Sequence, residues 1–169
     1  MLFHCIYLTE ITIRMTISGT DENIFPKEEI AMQKSKIHNC RLIALPKIST
    51  PGGNITAVNE KLDVPFELNR IYYLYDVPGG ETRGGHSHKE LCQLLVAACG
   101  SFSVVLDDGK QKETHHLNRP YQGLLIVPGI WREIENFSSG SICLVLASQV
   151  YNENDYIRDY DHFLAYKLS

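Results

Sequence analysis

From Cys40 onward the chain is a succession of short β-branched and aromatic segments, with no long amphipathic helix before the C-terminus. "RLIALPKI" and "NITAVNE" flank the turn residues Pro51, Gly52 and Gly53, and "NRIYYLYDV" runs into Pro78, Gly79 and Gly80. "ELCQLLVAACGSFSVVLDDG" holds two strands broken at Gly100 and Ser101, and Asp108 with Gly109 forms a hairpin-turn signal. "ETHHLNRP", "GLLIVPG", "WREIENF" and "SICLVLAS" continue the series. A parallel sheet needs crossover helices, and this pattern offers none. The chain is therefore predicted to be all-β, a sandwich or a barrel. In the tail, "NENDYIRDYDHFLAYKL", Asn152 or Asn154 can cap one or two short helices that carry Tyr156, Tyr160 and Phe163 on one face.

Residues 1–35 differ in character. "SGTDENIFPKEEIAMQKSK" is polar, contains Pro26 and has no sustained period, so this leader reads as a loosely attached arm with a short helix around Lys27 to Lys34. Met32 is an alternative start, and the working domain is predicted over 36–169. The N-terminal stretch is faintly apolar, but His4, Glu10 and Arg14 interrupt it, so it makes neither a secretory signal nor a membrane span. A net charge of −4 without a basic block excludes nucleic acid as a partner. Cys5, Cys40, Cys92, Cys99 and Cys143 are odd in number and form no CxxC pair. They read as small buried hydrophobes of a reducing compartment, so the sequence points to the cytoplasm.

"RGGHSHKE" is the stretch that carries chemistry. His86 and His88, two residues apart on a strand, point to one face. Such a pair can hold a metal, move a proton or fill a core. Gly80, His86, His88, Gln93 and Gly100 stand at spacings that resemble the first motif of the cupin superfamily. Pro128, Gly129, Arg132 and Asn136 resemble the second. The resemblance implies an all-β, cupin-type double-stranded β-helix, or jelly roll, followed here by the short C-terminal helices. Metal-binding cupins use His, His, Glu and His. Here Gln93 holds the Glu place and Arg132 the last His place. A guanidinium has no lone pair for a metal and keeps its charge at any accessible pH. The expectation is a site without metal. His115 and His116 lie in a polar stretch and face opposite sides of a strand, so at least one is expected to be exposed.

"RGGHSHK", "PGIWRE" and "YIRDYD" closely resemble the FdtA/WxcM-like sugar 3,4-ketoisomerases, over roughly Ile37 to Phe163. The resemblance implies a cofactor-free homodimeric isomerase. It would act on a dTDP-linked 4-keto-6-deoxy sugar, producing a 3-keto sugar nucleotide for dideoxy-aminosugar biosynthesis. By resemblance His86 is the base at C3, His88 orients substrate or shuttles the proton, and Tyr72 is the proton donor at C4. Gln93 and Arg132 would hold oxygens, and Arg83 would contact diphosphate or sugar. Gly52 and Arg132 would influence the C4 configuration, which is left open between gluco and galacto. The residues alone are consistent with this chemistry. Abstraction of a proton α to a ketone needs a base near neutrality and donors for the oxyanion, and an unperturbed histidine sits near ~6.5. Trp131 alternates with Arg132 and should pack away from the site, while Lys89 and Glu90 form a solvated edge. Two alternatives stay open: a metal-dependent cupin enzyme, and a non-catalytic cupin that only binds a nucleotide sugar.

Overall fold

The computed structural model describes residues 35–169. The leader and its expected helix lie outside them, except for its last residue. Strands β1 (Arg41–Ala44), β2 (Ile48–Thr50), β3 (Gly53–Ile55) and β4 (Arg70–Leu74) open the fold. Next come β5 (Arg83–His88), β6 (Gln93–Cys99), β7 (Phe102–Asp107) and β8 (Lys112–Leu117). The last are β9 (Gln122–Ile126), β10 (Trp131–Glu135), β11 (Ile142–Ala147), β12 (Tyr156–Ile157) and helix α1 (Tyr160–Leu168). One five-stranded sheet runs β1-β9-β6-β11-β4 and a second runs β12-β5-β10-β7-β8, while β2 and β3 form a separate hairpin. All of these strand pairs are antiparallel. Two such sheets packed face to face are the jelly roll that the sequence implied.

The burial of each strand follows its place. Central β6, "QLLVAAC", is buried on both faces through Ala97 and reads as a continuous apolar run. Edge strand β4, "RIYYL", alternates half-buried with exposed. Tyr72 turns inward, and Ile71 and Tyr73 turn out. Edge strand β8, "KETHHL", is polar and mostly exposed, which protects that edge from pairing with other chains. His116 is exposed and His115 half-buried, as the alternation required. The β7–β8 hairpin turns at Asp108, whose carboxylate accepts from the backbone N–H of Lys110 and of Gln111, both at 3.0 Å. Phe102, Val104, Leu106, Leu117 and Leu124 fill the space between the sheets and are almost fully buried.

Trp131 packs on the outer side, 5.2 Å from the Tyr160 ring and 5.6 Å from Phe163, and so docks α1 onto the second sheet. Two expectations need correction. Tyr156 is no helix residue: it pairs with His88 in β12, while Asn152 caps a single 3-10 turn and Asp159 caps α1. Cys99 is exposed and Cys92 half-buried, because β6 runs out of cover at its C-terminal end; among the described residues only Cys40 and Cys143 are core cysteines, and Cys5 lies outside them. Among the described residues no helix is long and apolar enough to cross a membrane.

Candidate active site

Inward-facing residues of β4, β5, β6, β10 and β11, with the segment 151–158, enclose a cleft of about 390 Å³. Leu74, Leu95, Ile134 and Val145 supply its apolar surface, and Tyr72, His86, Gln93 and Arg132 its polar one. The aim of β5 depends on its glycines. Ladder pairs run Arg132 to His86 and then Glu133 to Gly84, so Gly85 has no partner and the strand bulges there. Such bulges re-aim the neighbouring side chain. Gly84 has φ +88°, and a Cβ there would meet the Arg132 carbonyl oxygen at 2.6 Å. Only glycine fits.

The Gly84 carbonyl lies 3.0 Å from Nδ1 of His86. A carbonyl can only accept, so Nδ1 carries the hydrogen and Nε2 keeps its lone pair. Burial first, then the Arg132 charge, push the His86 pKa down to about 4. The ring is neutral at pH 7, able to take a proton but a weaker base than an unperturbed histidine. Across the cleft, Gln93 donates through Nε2 to the Tyr72 oxygen at 2.8 Å. That bond occupies an acceptor position and leaves the phenolic hydrogen available to a substrate. Burial, then Tyr156, raises the Tyr72 pKa, so the phenol holds its proton.

Arg132 is 1% exposed, and among the described residues its side chain makes a single hydrogen bond, from Nη1 to the His86 carbonyl at 3.2 Å. Nε and Nη2 are buried without partners, and among the described residues no carboxylate pairs with the guanidinium. Burial pushes its pKa down to about 10, which leaves it charged at neutral pH. Each unsatisfied buried donor costs about 1–3 kcal/mol. A chain selected for stability alone would not keep two of them on a lone cation. The guanidinium can meet an oxygen ligand.

Three further arginines line the cleft, Arg70, Arg83 and Arg158, and among the described residues no acidic side chain does. Arg158 is bonded in a fork to Glu153, at 2.8 and 2.9 Å, and lies 4.2 Å over the Tyr156 ring. Arg70 lies over the rings of Tyr72 and Tyr151.

His86, Tyr72, Gln93, Arg132 and Arg83 therefore meet in one cleft. Two residues of the sequence-derived set do not. His88 is fully buried behind His86 and does not line the cleft. Its Nδ1 lies 2.8 Å from Oδ2 of Asp155. The carboxylate by itself would favour a charged imidazole, but burial and then Arg132 outweigh it and hold the His88 pKa low. Gly52 sits exposed in the β2–β3 turn, apart from the cleft. Sequence reasoning gave no role to Arg70, Tyr151, Asp155, Tyr156 or Arg158. The last three lie in or beside "YIRDYD", so their signal was the motif rather than any spacing.

The facing sheets, with Tyr72, His86, Gln93 and Arg132 on the inner face, define a cupin-type jelly-roll enzyme. The chain belongs to the FdtA family (WxcM-like, C-terminal), whose family model matches residues 38–168. It is 43% identical over 126 residues to the TDP-4-oxo-6-deoxy-α-D-glucose-3,4-oxoisomerase of Aneurinibacillus thermoaerophilus, a match spanning 75% of this chain and 91% of that one. A crystal structure of a 3,4-ketoisomerase from Helicobacter canadensis superposes with a TM-score of 0.76 at 44% identity, covering 78% of this chain and 98% of that one. The 3,4-ketoisomerase QdtA of Thermoanaerobacterium thermosaccharolyticum is also similar. It was solved as a histidine-to-asparagine variant in complex with TDP-4-keto-6-deoxyglucose, and matches with TM-score 0.76 and 39% identity over 78% of this chain and 96% of that one.

Proposed function

We propose that this chain is a 3,4-ketoisomerase of TDP-linked 4-keto-6-deoxyglucose, working in dideoxy-aminosugar biosynthesis without metal or cofactor. The observation that carries the reading is the meeting of an Nε2 lone pair on His86, a hydrogen-bonded phenol on Tyr72 and a buried, under-satisfied Arg132 in one cleft. The donor set disfavours a divalent cation, because the two remaining cupin ligand places hold a neutral amide and a guanidinium. Unchanged turnover after dialysis against a chelator is the matching test.

The reaction moves two protons. The carbon-bound proton at C3 goes to C4, and the hydroxyl proton on O3 ends on O4. His86 takes the C3 proton on Nε2. The C–H electron pair becomes the C3–C4 double bond, and negative charge develops on O4. Preorganised donors aimed at developing charge are among the largest catalytic effects, and Arg132 is such a donor. Tyr72 then delivers a proton to C4 as O3 becomes the carbonyl and its hydroxyl proton passes to O4. Transfer of the proton held on His86 restores Tyr72. Arg70, Arg83 and Arg158 give the cleft a positive rim in a protein of net charge −4, which suits the diphosphate of a nucleotide sugar.

The working protein is a cytoplasmic homodimer, with the domain at 36–169 and the leader outside it. Ile71, Tyr73 and Tyr75 are 58–59% exposed on the outer side of β4 and just beyond it, and Ile48 and Ile55 are exposed on the hairpin. Apolar side chains grouped in this way favour a partner surface. Light scattering at micromolar concentration tests the dimer. Incubation with TDP-4-keto-6-deoxyglucose tests the activity: NMR should show a 3-keto product, with deuterium at C4 when the solvent is D2O. The same spectra give the C4 configuration. Recovery of unreacted substrate with no exchange at C3 would leave the non-catalytic binding alternative.

A further inference from the structure

Asp155 is almost fully buried, and both of its carboxylate oxygens are engaged. Oδ2 meets Nδ1 of His88 at 2.8 Å, and Oδ1 accepts from the backbone N–H of Glu90 at 2.8 Å. Its own carbonyl accepts from the backbone N–H of Lys89 at 2.9 Å. These bonds tie the segment after β11 to the end of β5, beside a ladder of only two residue pairs between β12 and β5. A carboxylate accepts and never donates, so Nδ1 of a neutral His88 must carry the hydrogen. Nε2 of His88 is then a lone pair, and it is buried without a partner.

His88 cannot touch a substrate from where it lies, but it touches two residues that can. Its ring is edge-on to His86, with centroids 4.9 Å apart at 84°, and 4.2 Å from the ring of Tyr156. His86 and Tyr156 are themselves 5.0 Å apart, and both line the cleft. The three rings form one packed unit whose rear member is clamped by Asp155. We propose that Asp155 is a positioning residue for the isomerisation: it fixes His88 in the Nδ1–H tautomer, and the fixed His88 ring holds His86 and Tyr156 in their working orientations. The role rests on the proposed function only in that His86 is taken as the base.

Asp155→Asn separates this from simple structural support. The amide oxygen of Asn is drawn to the Glu90 N–H, because the reverse orientation would set two donors against each other. The amide N–H then faces Nδ1 of His88. Histidine must accept there and move its hydrogen to Nε2. Nitrogen-15 NMR distinguishes the two tautomers directly. The expected result is an Nδ1–H His88 in the native protein and an Nε2–H His88 in Asp155→Asn. Turnover should fall on the order of 10²-fold, the scale of a slightly misplaced catalytic group. KM should stay near its native value, since the groups that hold the nucleotide are untouched. Native turnover in the variant, a loss confined to KM, or an unchanged tautomer overturns the proposal. If the variant does not fold, the native protein still decides: an Nε2–H or doubly protonated His88 overturns it. A native protein that leaves the 4-keto sugar unchanged defeats the proposed function instead, and the tautomer can be read without any activity.

Discussion

His86 and Arg132 are direct ladder partners on β5 and β10, and the arginine donates from Nη1 to the histidine's carbonyl at 3.2 Å. The proposed base and the cation are thus held on one inner face, with backbone rather than a flexible linker fixing their separation. Two consequences pull in opposite directions. In the proposed reaction the guanidinium holds charge on a substrate oxygen, and the same charge makes His86 harder to protonate. On that reading the site gives up base strength to gain oxyanion stabilisation.

The first prediction is the pH dependence that follows. In the free protein His86 titrates near 4 rather than 6.5, so the acid limb of kcat/KM, which reports the free enzyme, should lie well below pH 6. Stability has the matching sign. Below pH 6.5 the unfolded chain binds a proton at this residue that the folded chain refuses until near pH 4, so His86 contributes a loss of stability as pH falls through that window. Proton NMR of the His86 ring checks the midpoint, and a value near 6.5 would contradict the argument. In Arg132→Met the midpoint should rise, because one of the two main causes of the depression is gone.

His86→Asn should keep the fold and substrate binding, since the Asn amide can still donate to the Gly84 carbonyl. Turnover should drop toward the upper end of the ~10²- to 10⁴-fold range that a positioned general base supplies. Kinetics with the 4-keto sugar, beside a binding titration, measure both. A variant that keeps a tenth or so of the native rate would move the base elsewhere.

The architecture was legible because it rests on local periodicity. Turn residues such as Asp108 and Gly109, the doubly apolar run of β6 and the alternation of β4 each encode their own geometry. The inward set of Tyr72, His86, Gln93 and Arg132 was legible too, because period-two alternation and motif register place those side chains. What escaped was whatever depends on contact between distant segments. His88 read as a neighbour of His86 that reaches the substrate or shuttles its proton, yet the return of β12 over β5 seals it behind the cleft and gives it to Asp155. Tyr156 read as a helix residue because "DYIRDYDHF" offers a helical spacing of aromatics; pairing with β5 outweighed that spacing. Cys99 read as core because no local pattern reveals where a neighbouring strand stops covering β6. Gly52 was expected near the barrel mouth because it stands in a Gly-rich turn, yet within this chain that turn belongs to the separate β2–β3 hairpin and does not line the cleft.

Gly84→Ala tests whether the bulge on β5 aims the base. The added Cβ would sit 2.6 Å from a backbone oxygen that cannot swing aside, at φ +88°. The left-handed conformation alone costs an L-residue roughly 1–2 kcal/mol, and each kcal/mol shifts Tm by roughly 2–4 °C in a domain of this size. Both stability and turnover should fall, because the Gly84 carbonyl also orients His86. Gly85→Ala is the control. It shares a positive φ, but its Cβ meets nothing within 4 Å, so the loss of Tm should be smaller. Equal losses in calorimetry would mean that conformation, not the close approach to β10, makes glycine necessary.

Arg132→Met separates stability from function most sharply. The guanidinium is desolvated, lacks a carboxylate partner among the described residues and leaves two nitrogens unbonded. Replacing a buried charge by an apolar side chain of similar length is often neutral or stabilising. The thermal midpoint should therefore stay level or rise, while the His86 carbonyl loses only one long hydrogen bond. Catalysis should move the other way. Loss of a preorganised donor to an oxyanion typically lowers kcat by about 10²–10³-fold, and exchange of the C3 proton with D2O should slow in parallel, because the enediolate itself is no longer held. Calorimetry and exchange by NMR on the same preparation read the two effects together. A destabilised variant with native exchange would reverse the assignment and make Arg132 a structural residue. A stable variant that no longer exchanges the C3 proton identifies the buried charge as the group that holds the oxyanion.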